Sequence, residues 1–392
     1  MRKNLTLRYT LQQCAYWAAA AGVVSFATAF LLEKGFAASR IGILLASGNL
    51  LSCAAQPLLA SWADRIGGNV VKWFIAGLTA VSMCCFAAIQ LLPLSGAFYG
   101  LVYLLGVFTF DAMNPLLNAV SVAYNRVGFR INYGVGRGIG SFAYAVSALV
   151  IGKVMAGLGV DWMIWICLGL LAANVAATLG YPGLTETVVQ HNRSECCSVP
   201  VFFRRYKWYC VSLLGVMGLA MFHAMTENYL IEVVAPLGGD SGTVGVALFV
   251  ATAIEMVVIV NFDWLRTKIS DTWLLKLAGI SFIIKSVAFL VAKNVITIYA
   301  IQLLQATSYS FLSPTQLYYA DAKVAPADMV KGQAFITASY TLGCAIGNFT
   351  GGQLLEAFGI RVLLWAGVAM AAAGTLVFFL TVDKKDAAAP CA

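Results

Sequence analysis

Charge is what this chain has least of. Of its 392 residues only 11% are Asp, Glu, Lys or Arg, and it has 2 histidines. A soluble domain carries roughly 25% charged residues. A large soluble helical protein also needs polar outer faces, and those are missing, so a water-dissolved globule is excluded. Catalytic signatures are absent as well. There is no H-E-x-x-H, no G-x-S-x-G and no phosphate-binding loop, so neither an enzyme nor a bound cofactor is expected. The 10 cysteines have no metal-binding spacing. Most lie in apolar segments, where cysteine acts as a small hydrophobe, and Cys196 and Cys197 are neighbours in a polar stretch. The formal charge of +8 comes without base-reading motifs, so nucleic acid is set aside as a partner.

What is abundant is apolar sequence, 61% of the chain. Runs of about twenty such residues recur from end to end, the length a helix needs to cross roughly 30 Å of hydrocarbon. Twelve spans are expected, at about 8–33, 38–62, 70–93, 96–124, 133–157, 160–182, 207–236, 242–263, 272–292, 295–321, 331–355 and 359–382. The first is basic and then apolar, but its apolar part is too long for a signal peptide and lacks a clear cleavage site. The expected fold class is therefore an all-α membrane protein of twelve transmembrane helices in two bundles, residues 1–183 and 207–392. The polar, basic stretch 184–206, with His191, Arg193, Arg204 and Arg205, joins them.

Most of the 25 Lys and Arg fall on one side of these spans, among them Arg65, Arg126, Arg130, Lys207, Lys323 and Lys384. Lys34, Arg40, Lys153, Lys293 and Arg361 fall on the other. The asymmetry places both termini in the cytoplasm of a cell-membrane protein.

The halves repeat one another at an offset near 200 residues. Gly159-Val-Asp-Trp-Met-Ile-Trp165 returns as Gly359-Ile-Arg-Val-Leu-Leu-Trp365, Pro115 as Pro314, Gly134 as Gly332, and Ile41-Gly42-Ile43 as Val244-Gly245-Val246. Four matches in one order argue for duplication. The glycine run Gly134, Gly136, Gly138, Gly140 and the group Gly343, Gly347, Gly351, Gly352 are read as close helix packing.

Two charges lie deep inside spans: Arg137 and Lys285. A charge at bilayer depth costs a few kcal/mol, about 2.5–3.5 on the lenient scale, and is placed in a bundle interior or wet cavity. The expected partners are Asp111 for Arg137 and Glu255 for Lys285. In span seven His223 and Glu227 share a face at i, i+4, with Asn228 beside them. In span ten Gln302, Gln305 and Tyr309 form one polar stripe, suited to a hydroxyl-rich or heterocyclic ligand or to interhelical hydrogen bonds.

Ser61-Trp-Ala-Asp64-Arg65-Ile-Gly67-Gly68 is similar to the Asp-Arg-x-Gly loop signature of the major facilitator superfamily, with the flanking positions degenerate. Gln56-Pro57-Leu58 and Tyr133-Gly-Val-Gly-Arg137-Gly-Ile-Gly-Ser141-Phe-Ala-Tyr144 resemble the branch that holds lactose permease and related oligosaccharide and nucleoside proton symporters. The resemblance covers most of the chain. It implies a sugar-binding role for Arg137 and Glu255, a stacking role for Tyr144, and an arginine-like role for Lys285. Departures are clear: Asn118 replaces a carboxylate, and Gln302, Gln305 and Ser308 replace the late proton relay.

The resemblance implies a secondary transporter that takes up a small polar solute with protons by alternating access between two halves. The expected substrate-binding residues are Asp111, Asn118, Arg137, Tyr144, Glu227, Asn228, Glu255, Lys285, Gln302 and Gln305. The expected proton-coupling residues are Glu255, Asp111 and His223, and Asp64 and Arg65 form a gating loop. The expected partners are the solute, protons and the lipid bilayer, and the expected state is a monomer. An efflux carrier is the alternative, although span five has no proline, as is a uniporter of the same fold.

Overall fold

The computed structural model describes residues 4–66, 68–126, 128–183, 198–325 and 328–384, with the side chains of 57, 60–66, 68–70, 122, 126 and 330 outside that description. Among the described residues the chain is helical, with one isolated bridge, Asn4 to Arg130, and no strand. Ten helices are long and apolar enough to cross a membrane, or eleven if the bent pair Thr6–Ser25 and Ala27–Glu33 is one span. The remaining expected span lies in a 30-residue helix, Met329–Phe358. Ser339, Thr341, Asn348, Thr350 and Gln353 dilute its apolar character, and it is not among the ten.

The helices form two compact units, residues 1–191 with 239–252, and residues 192–238 with 253–392. In the first, α1 (Thr6–Ala20) runs through a π turn (Ala21–Ser25) into α2 (Ala27–Glu33). Then come α3 (Ala38–Ile66), α4 (Gly68–Leu91), α5 (Gly96–Ala112), α6 (Asn114–Arg126), α7 (Tyr133–Leu158) and α8 (Asp161–Leu179). The α5–α6 break has a local cause. Pro115 has no N–H, so the carbonyl of Asp111 loses its helical partner. Gln56 Nε2 from α3 donates to that carbonyl at 3.3 Å.

The second unit holds α9 (Val199–Arg205), α10 (Lys207–Glu227), α11 (Leu230–Val234) and the last turns of α12 (Ser241–Val260). It continues with α13 (Phe262–Arg266), α14 (Asp271–Val291), α15 (Val295–Gln302), α16 (Tyr309–Lys323), α17 (Met329–Phe358) and α18 (Ile360–Thr381). Of the expected linker 184–206, residues 184–197, including Cys196 and Cys197, lie outside the described residues, and α9 occupies most of the rest.

The duplication seen in the sequence recurs in the packing. α1 packs on α7 and α8, and α4 on α8; α10 packs on α17 and α18, and α14 on α18. Gly159 and Gly359 play one role in the two halves. Each follows a long helix at positive φ, 99° and 79°, a conformation a side chain would strain.

Glycine sets the contact distances. A Cβ on Gly140 would sit 2.9 Å from Trp17 Cδ1 and 3.3 Å from the Gln13 carbonyl, and one on Gly136 would run into the Tyr9 ring. Tyr9, Gln13 and Trp17 recur every four residues on α1, so a small face of α7 receives a large face of α1. Gly138, between them, faces open space. Also in the first unit, Gly152 of α7 meets the start of α12, where an added Cβ would lie 2.5 Å from the Ser241 carbonyl.

Candidate functional site

In the first unit the polar centre is built on that α1–α7 seam. Gln13 Nε2 donates to Tyr9 Oη at 2.9 Å, and Trp17 Nε1 donates to Gln13 Oε1 at 3.0 Å. The indole so held carries the Arg137 guanidinium, whose Cζ lies 3.9 Å from the ring centroid. Arg137 Nη1 donates to Ser141 Oγ, one turn on, at 2.7 Å. Stacking on Trp fixes the plane of a guanidinium while leaving its edge able to form forked hydrogen bonds.

Asp111 does not complete this group as expected. Among the described residues no ion pair joins it to Arg137. The arginine contacts a ring face and a hydroxyl instead, and Asp111 lies half-buried at the α5–α6 break. Tyr144, expected as a stacking ring, has its hydroxyl 2.6 Å from Ser25 Oγ at the π turn. Asn118 Nδ2 donates to Asn114 Oδ1 at 3.2 Å, one turn back on α6.

The second unit holds the denser network, centred on Lys285 in the middle of α14. Its ammonium donates to Glu227 Oε1 at 2.9 Å and to Gln305 Oε1 at 2.7 Å. The side chains of the pair are 1% and 13% exposed. The expected partner of Lys285, Glu255, is replaced by Glu227. Glu255 on α12 joins one step away, accepting from Gln305 Nε2 at 3.5 Å. Gln302 Nε2 donates to the other oxygen of Glu227 at 3.3 Å. Gln302 thus donates to the carboxylate oxygen left over by the ion pair and Gln305 accepts from its ammonium, as buried charges require.

The glutamines are not on one continuous helix, as the stripe reading expected. α15 ends at Gln302, a 3-10 turn covers Leu303–Ala306, and α16 begins at Tyr309. Hydroxyls bind carbonyls at the break: Ser310 Oγ donates to Gln305 at 2.8 Å, and Ser308 Oγ donates at 2.8 Å to Leu304, which also accepts from the Ser308 backbone N–H at 3.0 Å. Non-helical backbone at membrane depth is tolerated where protein satisfies it, and a broken helix turns its side chains away from a regular stripe.

His223 lies one turn before Glu227, its ring stacked on Tyr309 with centroids 5.0 Å apart and planes 12° from parallel. Its Nδ1 is buried with no hydrogen-bond partner among the described residues, as is Gln302 Oε1. Asn228 Nδ2 donates to Asn348 Oδ1 on α17 at 2.6 Å.

Sequence reasoning passed over three features. Gln12 is buried in a knot with Thr178 at 2.7 Å and Tyr181 at 2.9 Å, locking α1 to α8. The only signal was a Gln-Gln pair in an apolar run. Asn348 went unweighed. Arg266 forms a forked pair with Asp271 at 2.8 and 3.0 Å and lies 3.5 Å over the Tyr318 ring. That hydrogen-bonded carboxylate raises the arginine's pKa. Asp263 and Arg266 stand about 200 residues after Asp64 and Arg65, which was the available clue. Asp64 and Arg65 themselves belong to the end of α3 rather than to a loop, and their side chains lie outside the described residues.

Comparison with known proteins agrees with this architecture. The MFS_1 like family model matches residues 7–366. A point mutant of the nucleoside transporter NupG has a TM-score of 0.78 at 15% identity, covering 97% of this chain and 99% of that one. An auto-inhibited POT family peptide transporter follows the same path, with a TM-score of 0.72 at 14% identity and 98% of each chain covered. A bacterial homologue of the human lysosomal transporter Spinster, inward-facing and occupied, gives 0.68 at 12% identity, with 96% of this chain and 95% of that one. No curated protein sequence matches the chain. At such identities the structures establish the fold, and the family match extends over nearly the whole chain: the protein belongs to the MFS_1 like family and is a multi-pass membrane transporter of the major facilitator fold.

Proposed function

We propose that this transporter takes up a small polar solute together with protons by alternating access. The solute class is an oligosaccharide, glycoside or nucleoside. The observation that carries the reading is the Lys285 network: an ion pair and two amides, buried in membrane-spanning helices beside a helix break. A buried pair of this kind is often replaceable by apolar packing, so its retention favours a working role.

Substrate contacts are assigned to Arg137, Tyr144, Asp111 and Asn118 in the first bundle. Those in the second are Glu227, Asn228, Glu255, Lys285, Gln302 and Gln305. Amides and a stacked guanidinium suit hydroxyls and heterocycle edges. Proton coupling is assigned first to Glu255, which Gln305 links to the ion pair, then to Asp111 and His223. The likeness in fold to a nucleoside transporter supports including nucleosides. The moving bodies are residues 1–183 and 207–392, with 184–206 as the link and Asp64 and Arg65 at the gate. The protein works as a monomer in the cell membrane with both termini cytoplasmic.

The test begins with thermal shifts of the detergent-purified protein across sugars, nucleosides and aromatic acids. Uptake of the best hit into proteoliposomes is then measured with and without a protonophore. Sugar or nucleoside hits with protonophore-sensitive uptake are expected. Hits confined to aromatic acids would remove the substrate class. Protonophore-insensitive uptake would favour a uniporter, the reading that the uncharged Gln302, Gln305 and Ser308 support.

A further inference from the structure

A cluster of cations stands apart from the polar centres, at the end of the second unit where α10 begins and α16 and α18 finish. Lys207 opens α10, Lys323 closes α16, and Lys384 follows α18. One indole gathers two of them. Lys384 Nζ lies 3.7 Å from the Trp208 ring centroid and Lys207 Nζ 5.4 Å from it. Lys323 Nζ donates to the Lys384 carbonyl at 2.7 Å.

Among the described residues none of the three forms an ion pair. The nearby carboxylate of Asp383 is taken by Lys276. Lys323 has a structural duty, since a cation at a helix C-terminus is favourable. Lys207 has the opposite setting: it is the first residue of α10, where the helix field disfavours a cation. Two like charges on one ring, one of them against the helix field, with a third on the Lys384 carbonyl and 5.5 Å from the Tyr319 ring centroid, form an incomplete arrangement that an anion completes.

The surroundings say which anion. Trp208 is half-buried, and Trp273 and Trp264 of this unit are 53% and 64% exposed, as in the aromatic belt at headgroup level. Val199, Val201 and Phe203 of α9, just before Lys207, are exposed apolar groups that suit an acyl chain and not water. Lysine ammoniums at this depth interact favourably with anionic lipid.

We propose that Lys207 and Lys384 on the Trp208 ring, with Lys323 joined to them through the Lys384 carbonyl, bind the phosphate headgroup of an anionic phospholipid. The site is independent of the solute path and holds an annular lipid in place against α9 and α10.

The test uses the full chain in neutral detergent with phosphatidylglycerol, phosphatidylcholine and inorganic phosphate as probes. Retained lipid is counted by native mass spectrometry, and the thermal midpoint is followed. Phosphatidylglycerol should be retained and should raise the midpoint; the other two should not. The triple variant Lys207→Gln, Lys323→Gln, Lys384→Gln should bind phosphatidylglycerol at least about tenfold more weakly, given the favourable contribution of each lysine near the headgroups. Removal of Lys153, Lys293 and Arg361 at the opposite helix ends should leave binding unchanged. Should the triple variant fail to fold, Lys384→Gln alone, at an exposed position beyond α18, should weaken binding about threefold. Parent-like lipid binding in these variants would overturn the site. So would equal loss in both charge-removed sets, or a shift with inorganic phosphate matching that with lipid.

Discussion

The ammonium of Lys285 on α14 lies 2.9 Å from the carboxylate of Glu227 on α10. The pair ties two helices together through residues 58 apart in sequence, with side chains 1% and 13% exposed. Neither charge is stable at that depth alone.

Removing the cation should therefore be costly. Lys285→Met leaves Glu227 charged and unpaired and should destabilise the fold by about 3–5 kcal/mol. Adding Glu227→Gln should recover much of that loss. Thermal melts of the parent, both single variants and the double variant complete the cycle. Additive single losses would show that the two groups do not interact.

Arg137 is predicted to act through its shape as well as its charge. Arg137→Lys keeps the charge but loses the flat stack on Trp17 and the fork. Solute affinity should fall about tenfold or more, the equivalent of roughly one to two lost hydrogen bonds. The melting temperature should stay near that of the parent. Binding to the variant is read by thermal shift with the best solute.

The α7 glycines should separate by position. Gly136→Ala drives a methyl into the Tyr9 ring, and Gly140→Ala crowds Trp17 at 2.9 Å. Each should cost about 1–3 kcal/mol by overpacking. Gly138→Ala meets nothing within 4 Å and should stabilise the helix, by up to about 1 kcal/mol. The three melts rank the positions, and a uniform response would contradict the seam described here.

The break between α15 and α16 yields a fourth expectation. Ser310→Ala removes the hydroxyl that donates to the buried Gln305 carbonyl at 2.8 Å. It should cost about 1–3 kcal/mol, the penalty of an unsatisfied buried acceptor. Ser310→Thr should recover part of that loss, measured again by thermal melting.

The fold was legible from the sequence because a bilayer imposes one length and one polarity on every span. Met329–Phe358, which hydropathy singles out least, shares its closing glycine and the Gly–x–x–x–Gly spacing with its counterpart Tyr133–Leu158. The site was legible in composition and not in pairing. Arg137 and Lys285 stand out because charge is rare. Which acid neutralises Lys285 depends on how α10 and α14 are packed, and Glu227 and Glu255 look equivalent in one dimension. The same limit applies at Arg137, whose partner is an indole, a group with no formal charge to flag it. The break at Leu303–Ala306 left only a weak trace, a Thr-Ser pair ahead of Pro314, so the stripe was drawn straight through it.

The most direct test of the proposed coupling is Glu255→Gln in proteoliposomes, because the amide oxygen can still accept from Gln305 while no proton can be taken up. Solute accumulation driven by an imposed pH gradient is measured beside solute exchange without a gradient. Accumulation should disappear and exchange should persist. Accumulation as strong as in the parent would contradict the role given to Glu255.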